Sequence, residues 1–317
     1  MTLQELTKKL KTEKAVAVVT HVRPDGDALG SALTLAAALQ KCGVKTDVFC
    51  DDPVPQKFFY LAGAKDVSVE WKDGGYTAIC AVDCADLGRM GGFSGVFSRF
   101  RSTYNVDHHV SNTRYAKNNY VEDVAACAML VKKMVEYLDV EIDADTANCL
   151  MTGLSTDTGH FMHSNTDANV FSDAAQLTAF GANVSDVARR MYRTQTASRL
   201  ALLSHVNSRI RYFLEGQIAI QTVTKADLTK FGAKIEDTEG FIDSALSVEG
   251  VEIAVCMTEH GKNAYKVSFR SKGKANVNAV AGTFGGGGHI LASGCMISGY
   301  YEDVVDKIVF TAGNYLQ

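Results

Sequence analysis

The sequence predicts an α/β protein: a mostly parallel sheet flanked by helices, followed by a smaller α+β domain. Three observations carry that expectation. In the first half, short β-branched runs alternate with Ala- and Leu-rich helical stretches, the pattern of strands covered on both faces. After Gly181 this alternation gives way to an Arg-bearing helical stretch and then to strands of alternating polarity. The length of 317 residues is enough for two domains, each burying its own core.

Taken in order, residues 15–20 read as the first strand and lead into a helix over 29–42. Strands follow at 45–50, 77–82 and 103–106, and helices at 124–138, 144–154 and 167–180. Residues 186–211 read as helical and carry Arg189, Arg190, Arg193, Arg199, Arg209 and Arg211, which suits a connection between domains. Strands at 217–223, 251–257 and 264–270, a helix at 240–248 and a Gly-rich turn before the last segment make up the rest. The expected boundaries are 1–186 for the first domain, 187–207 for a helical linker and 208–317 for the second domain.

Composition narrows the function. A net charge of -4 gives no overall basic field, which argues against a protein that grips long duplex nucleic acid by neutralising phosphates. The N-terminal residues are polar, and 15–20 is too short for a signal peptide or a membrane span, so a cytoplasmic protein is expected. The eight cysteines show no CxxC pair, and most sit in apolar segments, as free thiols in a reducing compartment do. Cys84, beside Asp83, is a weak candidate for a metal, because hard cations prefer oxygen and nitrogen.

Four acidic or imidazole clusters end hydrophobic segments. They are His21-Val-Arg-Pro-Asp25-Gly-Asp27, Val82-Asp83-Cys-Ala-Asp86, Asp107-His108-His109 and Ser155-Thr-Asp157-Thr-Gly159. In a parallel sheet, ligands bind beyond the carboxyl ends of the strands, so His21, Asp83 and Asp107 should converge on one crevice. Together the clusters supply the oxygen and imidazole ligands of two hard divalent cations. Asp27 alone could equally cap the helix that follows it. Asp83, where a buried strand ends, would be costly to desolvate unpaired, and bridging two cations removes that cost. Asp107 reads as orienting the ring of a ligating histidine rather than binding metal itself. His108 and His109 cannot easily bind one ion, so one serves metal and its neighbour is free for substrate. Asp157, in a polar turn, completes the set, whereas Asp86 stays outside it and His160 and His163 read as surface or packing residues.

Such a ligand set favours Mn²⁺, with Mg²⁺ as the other candidate, over a zinc site built on cysteine spacing. Two ions sharing a water lower its pKa and present hydroxide to phosphorus. A second anion-binding candidate is Gly285-Gly286-Gly287-Gly288-His289, where bare backbone N–H groups can approach a phosphate; a flexible loop is the alternative reading. Arg270 can add a bidentate clamp. No Walker loop and no GxGxxG after a strand is present.

With these residues in hand, the chain resembles the DHH phosphoesterase family along nearly its whole length, through HVRPDGDALGS, AVDCAD, VDHH, STDTG and FGGGGHILASG. The last motif resembles the DHH-associated C-terminal domain of the branch holding RecJ-like nucleases, nanoRNA-degrading enzymes with pAp-phosphatase activity and cyclic-di-AMP phosphodiesterases. The resemblance implies that His21, Asp25 and Asp83 bind one metal, and that Asp27, Asp83, His108 and Asp157 bind the other, with Asp83 bridging. It further implies that His109 sits at the substrate phosphate, held from across an interdomain cleft by Arg270, Gly286, Gly287, Gly288 and His289. Ser293 and the segment His160-Phe-Met-His163 depart from the family's commoner residues.

A bare two-domain chain resembles the standalone members acting on short oligonucleotides, linear dinucleotides such as pApA or pGpG, or pAp. The expected reaction is hydrolysis of such substrates to mononucleotides, and a homodimer is compatible with the Ala- and Leu-rich surfaces. A cyclic-di-AMP phosphodiesterase and a manganese pyrophosphatase are the enzyme alternatives, the latter disfavoured by the His289 motif. A degenerate nucleotide-binding regulatory protein is the alternative of another class, although every implied ligand is present.

Overall fold

The run Ala-Val-Ala-Val-Val carries no polar residue because every one of its side chains is buried: β1 (Ala15–Val19) lies inside a sheet covered on both faces. The chain is described here from a computed structural model covering residues 1–316. Its partners are β2 (Lys45–Phe49), β3 (Ala78–Val82), β4 (Ser102–Asp107) and β5 (Asn118–Val121), all parallel, in the order β2-β1-β3-β4-β5. This doubly wound order reverses between β1 and β3, and ligands bind beyond the strand ends at such a switch point.

Helices α1 (Leu3–Lys11), α2 (Gly26–Lys41), α3 (Ser94–Phe97), α4 (Cys127–Tyr137), α5 (Ala144–Asp157), α6 (Ala168–Ala179) and α7 (Val184–Tyr192) complete the first unit, Met1–Thr194. Val16, Val18, Cys80, Val82 and Val106 face the core shared with α1, α2, α4 and α5. Ala17, Val19, Ile79 and Ala81 face a second, aromatic-rich core around Phe49, Phe93 and Phe97. Helices α2 and α5 touch backbone to backbone: a Cβ on Gly30 would lie 2.2 Å from the carbonyl oxygen of Cys149.

The second unit, from Gln195 onward, has a mixed sheet of β6 (Arg211–Phe213), β7 (Ile218–Val223), β8 (Ile253–Gly261), β9 (Ala264–Ser271), β10 (Gly287–His289) and β11 (Ala292–Ser298). The order is β10-β11-β9-β8-β7-β6, with only β7 and β8 parallel. Helices α8 (Ala197–Asn207), α9 (Lys225–Phe231) and α10 (Phe241–Leu246) lie against one core, and α11 (Val277–Gly282) and α12 (Tyr301–Gly313) against the other. The α/β fold followed by a smaller mixed domain is the class the sequence predicts. Among the described residues no helix is long and apolar enough to cross a membrane.

Particular elements differ from expectation for physical reasons. Residues 186–211 are two helices, one in each unit, because Thr196 caps a new helix by accepting from the N–H of Arg199. Helix α2 begins at Gly26, three residues early, because Asp25 rather than Asp27 is its cap. Helix α5 runs on to Asp157, which is therefore its last residue and does not sit in a polar turn. The hydroxyls of Thr156 and Thr158 bond back to the carbonyls of Thr152 and Leu154, at 3.0 and 2.7 Å, so poor helix formers still extend the helix. Strand β5 carries the polar run Asn-Asn-Tyr-Val at the sheet edge, and α1 is short and mostly polar, so neither announced itself.

Candidate metal centre and active site

The loop leaving β1 is set by its caps. Asp25 accepts the N–H groups of Asp27 and Ala28 through Oδ1, both at 3.0 Å, which leaves Oδ2 facing His21 Nε2 at 3.8 Å. The His21 ring is fixed from behind by the carbonyl of Val22, 2.8 Å from Nδ1. Asp27, fully buried, accepts the N–H groups of Cys127 (2.6 Å) and Ala128 (2.8 Å) at the start of α4, together with the Ser31 hydroxyl. So the capping alternative for Asp27 is realised on a different helix from the one the sequence suggested.

Asp83 follows β3 in a left-handed conformation (φ 55°), which Asp tolerates better than most residues with a Cβ. Its N–H bonds the carbonyl of Val106, tying it to β4. Its two oxygens face two imidazoles: Oδ2 lies 3.4 Å from His21 Nε2, and Oδ1 lies 3.4 Å from His108 Nε2. At the end of β4, Asp107 accepts from His109 Nδ1 at 2.8 Å and from Asn112 at 2.6 Å. It therefore orients His109, not the ligand candidate His108. His108 is instead held by the carbonyl of Val124, 3.0 Å from Nδ1, which puts its lone pair on Nε2. That nitrogen stands 3.3 Å from Asp157 and 3.9 Å from Asp27.

Ligand atoms fall into overlapping groups whose members all lie within 4.8 Å: His21, Asp25 and Asp83; Asp27, His108 and Asp157; and Asp83, Asp107, His108 and His109. These residues fit divalent cations on a direct observation: Asp83 Oδ1 and His108 Nε2 are both buried without a hydrogen-bond partner among the described residues. The electrostatics agree. Burial and then the charge of Asp83 push the Asp27 carboxyl up to about 7, and burial with three neighbouring carboxylates pushes Asp157 well up. Burial alone would lower the His108 pKa, but Asp83, Asp27 and Asp157 outweigh it and raise it to about 11. Asp83 moves the other way, because His108 and His21 outweigh its burial and hold it low. A field that demands a proton on an imidazole is one that a divalent cation would satisfy.

In the second unit, Arg270 on β9 pairs with Ala292 on β11, which pairs in turn with His289 on β10. Directly opposed residues share a sheet face, so Arg270 and His289 flank a small side chain. The Arg270 guanidinium donates to the carbonyl of Phe269 at 3.0 Å and has no carboxylate partner among the described residues. Gly287 and Gly288 lie in the edge strand β10 rather than in an open loop, and the run packs closely: a Cβ on Gly286 would meet the Gly294 carbonyl at 2.2 Å, and one on Gly288 the Ala292 carbonyl at 2.5 Å. Gly287 has room for a Cβ, and so does Gly285, whose φ of 74° is nevertheless left-handed. The outward N–H groups of an edge strand remain available to an anion.

Other candidates lie elsewhere. Asp86 caps a short 3₁₀ helix by accepting from Arg89 N–H. Cys84 is fully buried, donates to the carbonyl of Asp86, and has its thiol pushed up to about 12 by burial. The polar network behind Asp107 carries no signature in the sequence. There Asn112 reaches Asn105 at 2.9 Å, and Tyr115 reaches the Cys84 carbonyl at 2.8 Å. Gly153 was also silent, although a Cβ there would meet Asp27 Oδ1 at 2.6 Å.

Residues 15–154 match the DHH family, N-terminal domain, and residues 215–317 match the DHHA1 domain. A bifunctional oligoribonuclease and PAP phosphatase NrnA from Thermus thermophilus is 31% identical over 302 residues, covering 93% of this chain and 90% of that protein. The protein of the same name from Bacillus subtilis is 25% identical over 312 residues, covering 96% of each. Among solved structures, an exopolyphosphatase-related protein from Bacteroides fragilis superposes with a TM-score of 0.92 at 26% identity, covering 99% of this chain and 96% of that one. RecJ from Thermus thermophilus in complex with Mn²⁺ shares the fold, with a TM-score of 0.60 at 12% identity, covering 99% of this chain and 55% of that one.

Proposed function

The chain belongs to the DHH family, with a DHHA1 domain, and from that premise we propose that it is a metal-dependent phosphoesterase that hydrolyses short oligoribonucleotides and linear dinucleotides to mononucleotides, and pAp to AMP. The observation that carries the reading is the pairing of Asp83 with two imidazoles, one on each side, at 3.4 Å. His21, Asp25 and Asp83 would hold one divalent cation, and Asp27, Asp83, His108 and Asp157 the other, with Mn²⁺ or Mg²⁺ the suited ions. Bound there, the ions would supply Lewis-acid stabilisation of phosphoryl oxygens and acidify a water.

The remaining work falls to protein groups. Asp107 holds the proton of His109 at Nδ1, which leaves Nε2 to face substrate. Burial opposes a charged His109 ring, but the bond to Asp107 and the charge of Asp83 outweigh it and raise its pKa. A protonated Nε2 can then donate to a phosphoryl or leaving oxygen. Arg270, His289 and the backbone of Gly286, Gly287 and Gly288 would bind a substrate phosphate through the second unit.

The test is hydrolysis of pApA, a 24-mer RNA, pAp, cyclic di-AMP and pyrophosphate, with Mn²⁺ and with chelator. Cleavage of pApA or pAp that chelator abolishes is expected. Cleavage of pyrophosphate alone would overturn the substrate assignment while leaving the metal assignment standing. Asp83→Ala should abolish turnover and weaken metal binding at both sites.

A further inference from the structure

Four aromatic rings, from the turn after Asp157, from α6 and from α7, form a ridge. The His160 ring lies 5.3 Å from that of Tyr192 and 5.3 Å from that of Phe161, and Phe161 stacks on Phe171 at 5.8 Å and 22°. The backbone is bent to make it. Gly159, His160 and Phe161 are consecutively left-handed, with φ of 55°, 57° and 68°. Two adjacent residues with a Cβ adopt that conformation only where surroundings enforce it, and such strain clusters at functional sites.

The enforcing bonds converge on the end of α5. His160 N–H donates to the carbonyl of Ser155 at 2.7 Å, Tyr192 Oη donates to the same carbonyl at 2.7 Å, and Phe161 N–H donates to the Thr158 hydroxyl at 3.1 Å. Core packing accounts for Phe161, which lies against the first unit's core, but not for its neighbours. Phe171 is 57% exposed, Tyr192 44% and Met162 77%.

We propose that this ridge is a nucleobase-stacking subsite, holding the base of the nucleotide whose phosphate lies at the carboxylate–imidazole cluster. The proposal rests on the function proposed above. Its geometry is that of continuity: the Asp157 carboxylate stands 3.3 Å from His108 Nε2, and three residues on His160 opens the ridge, its N–H held by the Ser155 carbonyl at 2.7 Å. In a nucleotide only a sugar separates base from phosphate, so a base must rest on a surface close to whatever holds its phosphate. Every base offers a π-face, so an aromatic ridge binds bases without selecting sequence, as an enzyme clearing mixed short oligonucleotides requires.

The experiment compares pApA with an analogue lacking the base on one nucleotide, in wild type, Phe171→Ala and Phe171→Tyr, with Mn²⁺. Phe171 is exposed, so the substitutions should leave the fold intact, and thermal melting checks this. In wild type the abasic analogue should show a KM roughly tenfold higher than pApA. Phe171→Ala should bring that ratio towards one by raising KM for pApA, and Phe171→Tyr should restore it. Quenching of a 2-aminopurine dinucleotide on binding should be lost in Phe171→Ala and kept in Phe171→Tyr. An unchanged ratio in Phe171→Ala, with pApA still cleaved by wild type, overturns the subsite alone. Failure of wild type to cleave either pApA or pAp overturns both the subsite and the function beneath it.

Discussion

The Asp27 carboxylate accepts the main-chain N–H of Cys127 at 2.6 Å, across a sequence separation of 100 residues, and that of Ala128 beside it. Ala126, at the N-cap of α4, has no side-chain bond to offer, so Asp27 caps that helix from α2. One carboxylate thus stabilises the fold and serves the candidate metal site. Asp157 makes no comparable cap. In chelator, Asp27→Ala should lose about 1–2 kcal/mol of unfolding free energy, the usual cost of a lost cap. Asp157→Ala should be neutral or stabilising there, because it removes a like charge from the cluster. Urea unfolding of both variants decides the point, and equal losses would show that Asp27 is no cap.

The pH dependence of the metal-free protein follows from the same cluster. Asp27, raised to about 7 against an ordinary 3.8, holds a proton in the folded state that the unfolded chain releases earlier. Stability from that proton is present at low pH and is lost as pH rises to about 7. His108, raised to about 11 from 6.5, acts in the same direction between those values. Metal-free protein should therefore lose stability from about pH 5 to pH 9. Added Mn²⁺, which needs deprotonated ligands, should stabilise more as pH rises. Melting curves at several pH values, with and without metal, test both slopes; a metal effect that shrank with pH would contradict the ligand assignment.

Asp107→Asn separates orientation from metal binding. An amide cannot reproduce the acceptor that fixes His109 Nδ1 while also taking the Asn112 donor. Turnover should fall roughly 100-fold, the range for a displaced acid–base group, with Mn²⁺ affinity by calorimetry little changed. A matching loss of metal affinity would instead make Asp107 a ligand.

Arg270 is the corresponding test in the second unit. Its guanidinium has no carboxylate partner among the described residues, so Arg270→Ala should raise KM for phosphate-bearing substrates roughly tenfold and leave Mn²⁺ affinity as it was. Unchanged kinetics on every substrate would remove it from the phosphate site.

The convergence of the candidate ligands was legible because chemically distinctive side chains stand at or near strand ends. His21 and Asp83 each follow an apolar run that could hardly be anything but a buried strand. The sequence reported packing and connection poorly. Whether Asp27 caps its own helix or α4 depends on where the start of α4 lies, which a single chain does not encode locally. The end of α5 was misplaced because Ser-Thr-Asp-Thr reads as a turn, while back-bonding hydroxyls carry the helix through it. A flexible loop is the alternative reading of the Gly-rich segment because glycine signals freedom. Here Gly286 and Gly288 signal contact with β11.

Gly153 shows how close packing and the candidate site are joined. A Cβ there would lie 2.6 Å from Asp27 Oδ1 and 2.9 Å from Ala128 Cβ, so α5 touches both the cap and the helix it caps. Gly153→Ala must push α5 away or turn the Asp27 carboxylate, and α5 carries Asp157 at its end. Unfolding free energy should fall by about 1–3 kcal/mol, as for an overpacked core position. Metal affinity should fall with it, although no ligand has been altered. At Gly95 a Cβ would meet nothing within 4 Å, so Gly95→Ala is the matched control and should leave affinity unchanged. Loss of stability in Gly153→Ala without loss of Mn²⁺ affinity would mean that the ligands are held independently of the α2–α5 contact.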